Sequence, residues 1–317
     1  MKILMFGRGV IAALYGWALE KAGHSVEFYV RPGRAAEYGS TLPLKLLDAR
    51  TRFKGVPVEE NWTMRLREDL PVDHDYELII VSVQHYRFTE AAAFLGPRVG
   101  KATVLVFNNF WTDPQAAASP LPIGQVVWGF PRAGGGFDDN GVLRGALFHK
   151  VLFGTFGTEP TERERMVQDL FRKSGFGIEE QRDFRGWLWI HFAVNAGLHA
   201  QALRTGSFQH LLGSAAQMKN VLLNVRELLP VVAARGVDLK AHAADVALFR
   251  FPPWLVGLAL KLLLKSSGSV RRILESHTNP DELRLTCRDM LDEARRLGIS
   301  VPRLEAVEAF LPRSVSR

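Results

Sequence analysis

Two glycines stand where the chain passes from its first strand-like run into its first helical pattern. The segment reads Gly7-Arg8-Gly9-Val10-Ile11-Ala12. At such a turn the first glycine permits the tight bend, the second lets a pyrophosphate approach the backbone, and a small third residue lets the helix pack on the strand. Free N–H groups at the start of the helix bind the phosphates. The segment therefore predicts a dinucleotide-binding unit, with all six residues at the cofactor.

The end of the next predicted strand distinguishes NAD from NADP. NAD-binding units usually carry Asp or Glu there, which binds the ribose 2′-hydroxyl. Here the segment 29–34 contains no acid and has two arginines, Arg31 and Arg34. A guanidinium binds a 2′-phosphate through forked, charge-assisted hydrogen bonds. We therefore predict NADP(H) as the cofactor with Arg31 at the 2′-phosphate, and interpret Arg34 as a solvated loop residue.

Three polar residues in the second half share one stripe of a predicted helix. His191, Asn195 and His199 follow one another at i, i+4 and i+8. Histidine can give a proton to the alkoxide that forms when a carbonyl is reduced. The stripe therefore predicts a catalytic group, with burial of the histidines in the core as the alternative.

Strands and helices alternate in the part of the chain that carries the glycine turn. Strands are predicted at 2–6, 25–30, 77–83, 103–107, 125–130, 151–156 and 176–181, a helix at 10–22, and a hairpin or turn region at 132–150. Such alternation implies parallel pairing through crossover helices. We predict an α/β fold, with an N-terminal Rossmann-like doubly wound domain at 1–181 that binds NADP and an all-helical C-terminal domain at 182–317 for substrate and dimerisation.

From about residue 160 the apolar periodicity becomes helical. Thr161 followed by Glu164 is the pattern of a capping box, which begins a helix. Gly236 and Gly298 stand where helix C-termini are expected. Helices are predicted at 162–173, 185–203, 207–235, 238–249, 253–265, 269–276 and 280–297.

Charge and cysteine content exclude several classes of function. The 317-residue chain has a net charge of +7 and one cysteine. Its basic residues are dispersed, so we predict no nucleic-acid partner; the positive field suits an anionic cofactor and substrate. Cys287 alone excludes an intramolecular disulfide, and the histidines lack metal-ligand spacing, so no metal is predicted. No signal-peptide pattern opens the sequence, which favours a cytoplasmic location.

The most apolar stretch, Trp254–Leu264, is too short to cross a bilayer, which needs about 20 residues. We predict no membrane partner and interpret the stretch as a core or dimer-interface helix. The alternative is a helix that lies on a membrane surface.

The segment from Met1 to Arg31 resembles the opening of the ketopantoate reductase (2-dehydropantoate 2-reductase) family, and the resemblance returns at 189–195, at Glu227 and at 269–302. It implies a Rossmann domain followed by a helical domain, NADPH as cofactor, and reduction of a 2-oxo acid in the interdomain cleft. It also implies a role in pantothenate biosynthesis and a homodimer, as in many members.

Several family positions carry other residues here. The family's helical motif Trp-x-Lys-x-x-x-Asn-x-x-x-Asn falls on Trp189, His191, Asn195 and His199, so histidine replaces the lysine that acts as general acid. The family's lysine after the fourth strand falls on Gln84, and its Asn-Gly loop keeps only the asparagine, as Asn109. The family's substrate-binding serine and acid fall on Ser269 and Glu282, with Asp281 as a rival for the acid.

The chain is therefore predicted to be an NADPH-dependent reductase of a 2-oxo acid or related small carbonyl compound, a divergent member without the catalytic lysine. Its catalytic residues would be His191, Asn195, His199 and Glu282, with Asn195, Ser269 and Glu282 at the substrate. One alternative is reductive amination of the opine type, because Asn195 and His199 also match the Asn-x-x-x-His motif of those dehydrogenases. The other is an inactive NADP-binding sensor or interaction protein.

Overall fold

The structure is a computed structural model that describes residues 1–52, 54–266 and 279–311. These residues separate into two compact units. The first consists of residues 1–108 and 112–183, and the second of residues 109–111 together with the described residues from 184 onward. Ser269 and the predicted helix at 269–276 lie outside the described residues.

An eight-stranded sheet forms the centre of the first unit. In spatial order its strands are β12 (Gly177–Gln181), β11 (Lys150–Gly154), β8 (Val126–Phe130), β7 (Thr103–Phe107), β6 (Leu78–Val81), β1 (Lys2–Phe6), β2 (Ser25–Tyr29) and β5 (Leu66–Arg67). All neighbours pair in parallel except β8 and β11. Strands β6 and β7 are buried along their whole length and β1 is buried from Ile3 onward, as a sheet covered on both faces requires.

The strand order reverses at β1, which lies between β2 and β6. Ligands of doubly wound sheets bind outside the carboxyl ends of the strands at such a reversal. The helices of this unit are α1 (Val10–Lys21), α2 (Arg34–Tyr38), α3 (Phe88–Leu95), α4 (Pro114–Ala117) and α5 (Glu162–Lys173). The predicted Rossmann-like, doubly wound domain is confirmed.

A second sheet of four strands packs on α1, and the sequence analysis predicted only two of these strands. It runs in the order β4 (Val56–Thr63), β3 (Thr41–Ala49), β10 (Leu143–Phe148) and β9 (Ala133–Phe137). The predicted hairpin at 132–150 is the antiparallel pair β9–β10. No strand was predicted at 41–63, although β3 and β4 form a local antiparallel pair in which Asp48 lies opposite Val56. Pro43 and Pro57 lie within these two runs and are atypical of strand interiors, and the other neighbour of β3 is β10, far along the chain.

The glycines of this hairpin permit close packing. A Cβ at Gly135 would lie 2.1 Å from the carbonyl oxygen of Arg144, and one at Gly145 would lie 3.3 Å from a methyl group of Leu14 on α1. Two indole N–H groups join the sheet to α1: Trp17 donates to Glu60, and Trp62 donates to Glu20. The second sheet therefore fixes the helix that follows the glycine turn.

The second unit is helical throughout its described residues. Its helices are α6 (Phe184–Thr205), α7 (Phe208–Leu212), α8 (Ala215–Ala234), α9 (Pro253–Ser266), α10 (Pro280–Arg296) and α11 (Pro302–Glu305). α6 packs closely on α8, because a Cβ at Gly197 would lie 2.6 Å from a methyl group of Val225. The predicted all-helical C-terminal domain is confirmed for these residues.

The predicted start of α5 and the predicted ends of α8 and α10 are confirmed. Thr161 and Glu164 form a capping box at the start of α5. Gly236 and Gly298 have positive φ after α8 and α10.

Two predicted helices were wrong. The pattern at 207–235 is two helices, because Ser214 caps a new N-terminus through a bond from the backbone N–H of Gln217. Residues 238–249 form turns with a short 3-10 segment at Ala247–Arg250. Here the carboxylate of Asp238 accepts from the backbone N–H of Lys240, which competes with helix formation.

Candidate functional site

The glycine turn after β1 leaves room for a ligand. Gly7 has φ +100°, which favours glycine, and its N–H donates to the carbonyl oxygen of Tyr29 at 2.9 Å. A Cβ at Gly7 or Gly9 would meet no atom within 4 Å. The space above both glycines is therefore open, as the approach of a pyrophosphate to the backbone requires.

The first turn of α1 is built to attract an anion. Gly9 is the N-cap residue and provides no side chain, and the first turn contains no Asp or Glu. The first helical bond runs from the N–H of Ala13 to the carbonyl of Gly9, which leaves the preceding N–H groups without helical acceptors. Val10, Ile11 and Ala12 supply these donors at the positive end of the helix dipole.

Arg8, between the two glycines, holds its charge against aromatic rings. Its guanidinium lies 4.7 Å from the ring centre of Tyr38 and 5.4 Å from that of Phe137. Its Nε is buried without a hydrogen-bond partner, and burial lowers its pKa. Arginine remains protonated nonetheless. No carboxylate of the described residues pairs with it, so its charge is available to a phosphate.

The two arginines after β2 differ in their surroundings. Arg34 donates to the hydroxyl of Tyr38 at 3.0 Å and pairs with Glu37 at 2.6 Å. Arg31 is exposed, and within the described residues its side chain forms no ion pair. Arg34 is therefore occupied by its own helix, whereas Arg31 can accept a ligand anion.

The loops after β6 and β7 carry the other predicted cofactor residues. Gln84 is exposed at the N-cap of the 3-10 segment His85–Arg87. The amide of Asn108 accepts from the N–H of Val83 at 3.1 Å and donates to its carbonyl at 2.7 Å. Asn109 is half-buried, and its Oδ1 has no hydrogen-bond partner. An amide oxygen of this kind can accept from a ligand.

The three polar residues of the stripe on helix α6 differ in burial. His191 is half-buried, and its ring stacks on Trp187 with centroids 5.0 Å apart and planes 9° apart. Asn195 is half-buried, whereas His199 is only 5% exposed and lies edge-on to Phe208 at 6.3 Å. The stripe thus runs from an accessible histidine into the core, which makes His191 the more accessible proton donor.

The first turn of α10 holds the predicted acid. The side chain of Asn279 accepts from the N–H groups of Asp281 and Glu282, which fixes the start of the helix. Asp281 is exposed and Glu282 is half-buried. The thiol of Cys287, in the same helix, donates to the carbonyl of Ala196 at 3.5 Å. The helix with Glu282 therefore packs on α6 at Ala196, the residue after Asn195.

Cys287 is predicted to be inert in the folded protein. The thiol is buried, and burial raises its pKa, so almost no thiolate forms near neutral pH. Ellman's reagent at pH 8 should modify it only as fast as the protein opens, and at once in guanidinium chloride. Reaction in native buffer at the rate of free glutathione would contradict this contact between α10 and α6.

Within the second unit, one guanidinium lies between two indole rings, an arrangement called the cation clamp below. The sequence analysis did not predict it. The guanidinium of Arg235 lies 4.2 Å from the ring centre of Trp111 and 3.9 Å from that of Trp189, and it donates to the Trp111 carbonyl. Glu293 pairs with it at 3.2 Å; a hydrogen bond from Arg296 lowers the pKa of Glu293, and the charge of Arg235 adds to this effect. The clamp anchors the segment 109–111 to α6.

No sequence signal could have identified this clamp, because its members lie up to 124 residues apart. Across residues 1–52, 54–266 and 279–311, no three His, Cys, Asp or Glu side chains come together as a metal site would require. The absence of a metal stays a prediction. In the same ranges, no helix combines the length and apolarity needed to cross a membrane.

Comparison with known proteins agrees with the resemblance found in the sequence. Residues 3–157 match the family model described as Ketopantoate reductase PanE/ApbA. The resemblance is therefore confirmed over these residues, which contain the glycine turn. No curated protein matches the chain.

Solved structures of similar fold match nearly the whole chain. The 2-dehydropantoate 2-reductase from Geobacter metallireducens GS-15 has a TM-score of 0.69 at 16% identity, covering 98% of this chain and 99% of that one. The PanE/ApbA family ketopantoate reductase from Ralstonia eutropha JMP134 has a TM-score of 0.65 at 19% identity, covering 98% and 96%. D-mandelate dehydrogenase, with NADH and anilino(oxo)acetate, has a TM-score of 0.70 at 14% identity, covering 98% and 96%. At these identities the likeness concerns the fold.

Proposed function

We propose that this chain, whose residues 3–157 match the ketopantoate reductase PanE/ApbA family model, is an NADPH-dependent oxidoreductase that reduces a 2-oxo acid or related small carbonyl compound. The observation that carries the proposal is the open glycine turn before an uncapped helix N-terminus. NADPH, when bound, supplies the hydride for such a reduction. A homodimer and a role in pantothenate biosynthesis stay predictions from the resemblance, and a cytoplasmic location stays a prediction from the sequence pattern.

The residues of the first unit supply the groups for cofactor binding. The N–H groups at the start of α1 bind the pyrophosphate, and the open space over Gly7 and Gly9 admits it. Arg31 and Arg8, two cations without carboxylate partners in the described residues, support binding of the additional 2′-phosphate. Gln84 of this unit and Asn109, which belongs to the second unit, complete the proposed cofactor set from the family positions.

The residues of the second unit supply the acid and the substrate contacts. His191, which stands at the position of the family's lysine, donates a proton to the oxygen of the carbonyl that is reduced. Its stacking on Trp187 and its partial exposure support this role over that of the buried His199. Asn195 and Glu282 bind the substrate from the packed pair α6 and α10, and Ser269 is assigned to it from the resemblance alone.

The direct test combines binding and turnover. NADPH and NADH are titrated by quenching of tryptophan fluorescence, and oxidation of NADPH is followed at 340 nm with a panel of 2-oxo acids. The proposal predicts tighter binding of NADPH than of NADH, and oxidation that depends on at least one 2-oxo acid. Absence of binding by either dinucleotide would refute it.

The same panel separates the two alternatives. Oxidation that requires an added amino acid as well as a 2-oxo acid would indicate reductive amination. Binding of NADPH without oxidation across the whole panel would indicate a sensor or interaction protein. Either result would replace the proposed reaction and leave the cofactor site in place.

A further inference from the structure

The segment from Leu248 to Leu262 concentrates the exposed apolar surface. Among the described residues, eleven large hydrophobic side chains are exposed, and six of them lie in this segment. They are Leu248, Phe251, Trp254, Leu255, Leu258 and Leu262. Trp254 is 64% exposed and Leu262 59% exposed. Isolated exposed leucines are ordinary, but a concentration of this kind marks a surface that binds something.

Packing within the second unit fixes this surface outward. On the opposite side of α9, Val256 is 4% exposed, and a Cβ at Gly257 would lie 2.8 Å from the carbonyl oxygen of Ala215 on α8. Before the helix, the guanidinium of Arg226 donates to the carbonyl groups of Phe249 and Phe251. α9 therefore cannot turn its exposed side into the core without losing these contacts.

The charges that this segment itself carries have one sign. Between residues 246 and 265 the sequence has three basic residues, Arg250, Lys261 and Lys265, and no Asp or Glu. Arg250 and Lys261 are exposed. At 100° per residue, Lys261 borders the stripe formed by Trp254, Leu258 and Leu262. The surface is thus apolar along its middle and positively charged at its edge.

We propose that this α9 surface, defined by the six exposed side chains above, binds the surface of an anionic lipid bilayer. A short amphipathic helix with tryptophan and leucine on one side and basic residues beside them suits the interface between headgroups and acyl chains. At 14 residues, α9 would lie in the membrane plane over about 21 Å. The sequence analysis preferred a core or dimer-interface helix to a membrane-surface helix, and the exposed apolar side chains of α9 favour the second of these.

Charge favours a membrane over a second copy of the chain. A two-fold interface brings the same surface of both copies together. Two copies of this segment would bring the cations of both, Arg250 and Lys261, into one interface without any acid in the segment to compensate. An anionic bilayer accepts the apolar side chains and neutralises the cations at once.

Flotation of the full-length protein with lipid vesicles tests the proposal. We expect binding to phosphatidylcholine vesicles that contain phosphatidylglycerol, little binding to phosphatidylcholine alone, and release as salt rises. The double variant Leu258→Gln/Leu262→Gln should lower the partition coefficient at least about tenfold. Lys261→Glu should weaken binding to anionic vesicles. Ile123→Gln, at an exposed site of the first unit, is the matched control and should bind normally.

Because the substituted positions are exposed, each variant is expected to fold, and thermal unfolding checks this. Light scattering gives the oligomeric state of each variant. Failure of the wild-type protein to bind any vesicle would overturn the proposal, as would equal binding by the double variant. A wild-type dimer that the double variant converts to a monomer, together with no vesicle binding, would assign the surface to a second copy instead.

Discussion

Replacing Arg31 with alanine is expected to weaken NADPH binding by about 10- to 100-fold, and NADH binding by less than about threefold. The two cofactors differ in the 2′-phosphate, so a residue that binds this group affects only one of them. Forked hydrogen bonds between a guanidinium and a phosphate are among the strongest in proteins. Fluorescence titration of both dinucleotides against both proteins gives the four dissociation constants.

Arg34→Ala provides the matched control three residues away. Arg34 is already engaged by Tyr38 and Glu37, so its loss should change the two affinities little and by similar factors. An equal loss of NADPH and NADH affinity in Arg31→Ala would remove Arg31 from the 2′-phosphate. A selective loss in Arg34→Ala would transfer the assignment to that residue.

Replacing His191 with glutamine should lower kcat by about 10²- to 10⁴-fold and leave the NADPH dissociation constant nearly unchanged. Glutamine retains hydrogen-bonding capacity but cannot give up a proton to an alkoxide. The substrate for this measurement is the best 2-oxo acid of the panel. Steady-state turnover is compared with direct titration of NADPH, because a defect in cofactor binding would reduce activity for another reason.

His199→Gln, two turns along the same helix, is the companion variant. His199 is buried against Phe208, so its replacement should affect stability more than chemistry. If kcat falls in His199→Gln and not in His191→Gln, the proton donor is His199. Unchanged turnover in both folded variants would exclude both histidines from the mechanism.

The parts of the fold predicted best are those with local signals. β1 and α1 flank a glycine turn, and this local combination of strand, turn and helix carries the signal. The capping box at Thr161 likewise marks the start of α5 through neighbouring residues alone. β3 and β4 were missed although they pair locally, because Pro43 and Pro57 interrupt the strand pattern of both runs. The helix predicted at 238–249 followed from apolar periodicity, which contains no information on side-chain bonds such as that of Asp238. Such bonds stabilise turns in place of the helix.

The residues of the candidate site, too, could be predicted only where the signal is local in sequence. Arg8 and Arg31 could be assigned to the cofactor because they follow the ends of β1 and β2, which pair in the sheet. The depth of His199 and the accessibility of His191 could not be predicted, since both depend on what packs against α6. The clamp of Arg235 between Trp111 and Trp189 joins three segments distant in sequence, and only the folded chain shows it.

A crystal structure of the protein with NADP⁺ would test the central claim most directly. We predict that the pyrophosphate lies on the N–H groups at the start of α1, over Gly7 and Gly9, and that the 2′-phosphate contacts Arg31. A dinucleotide bound elsewhere, or none in crystals grown with a saturating excess of NADP⁺, would contradict the account.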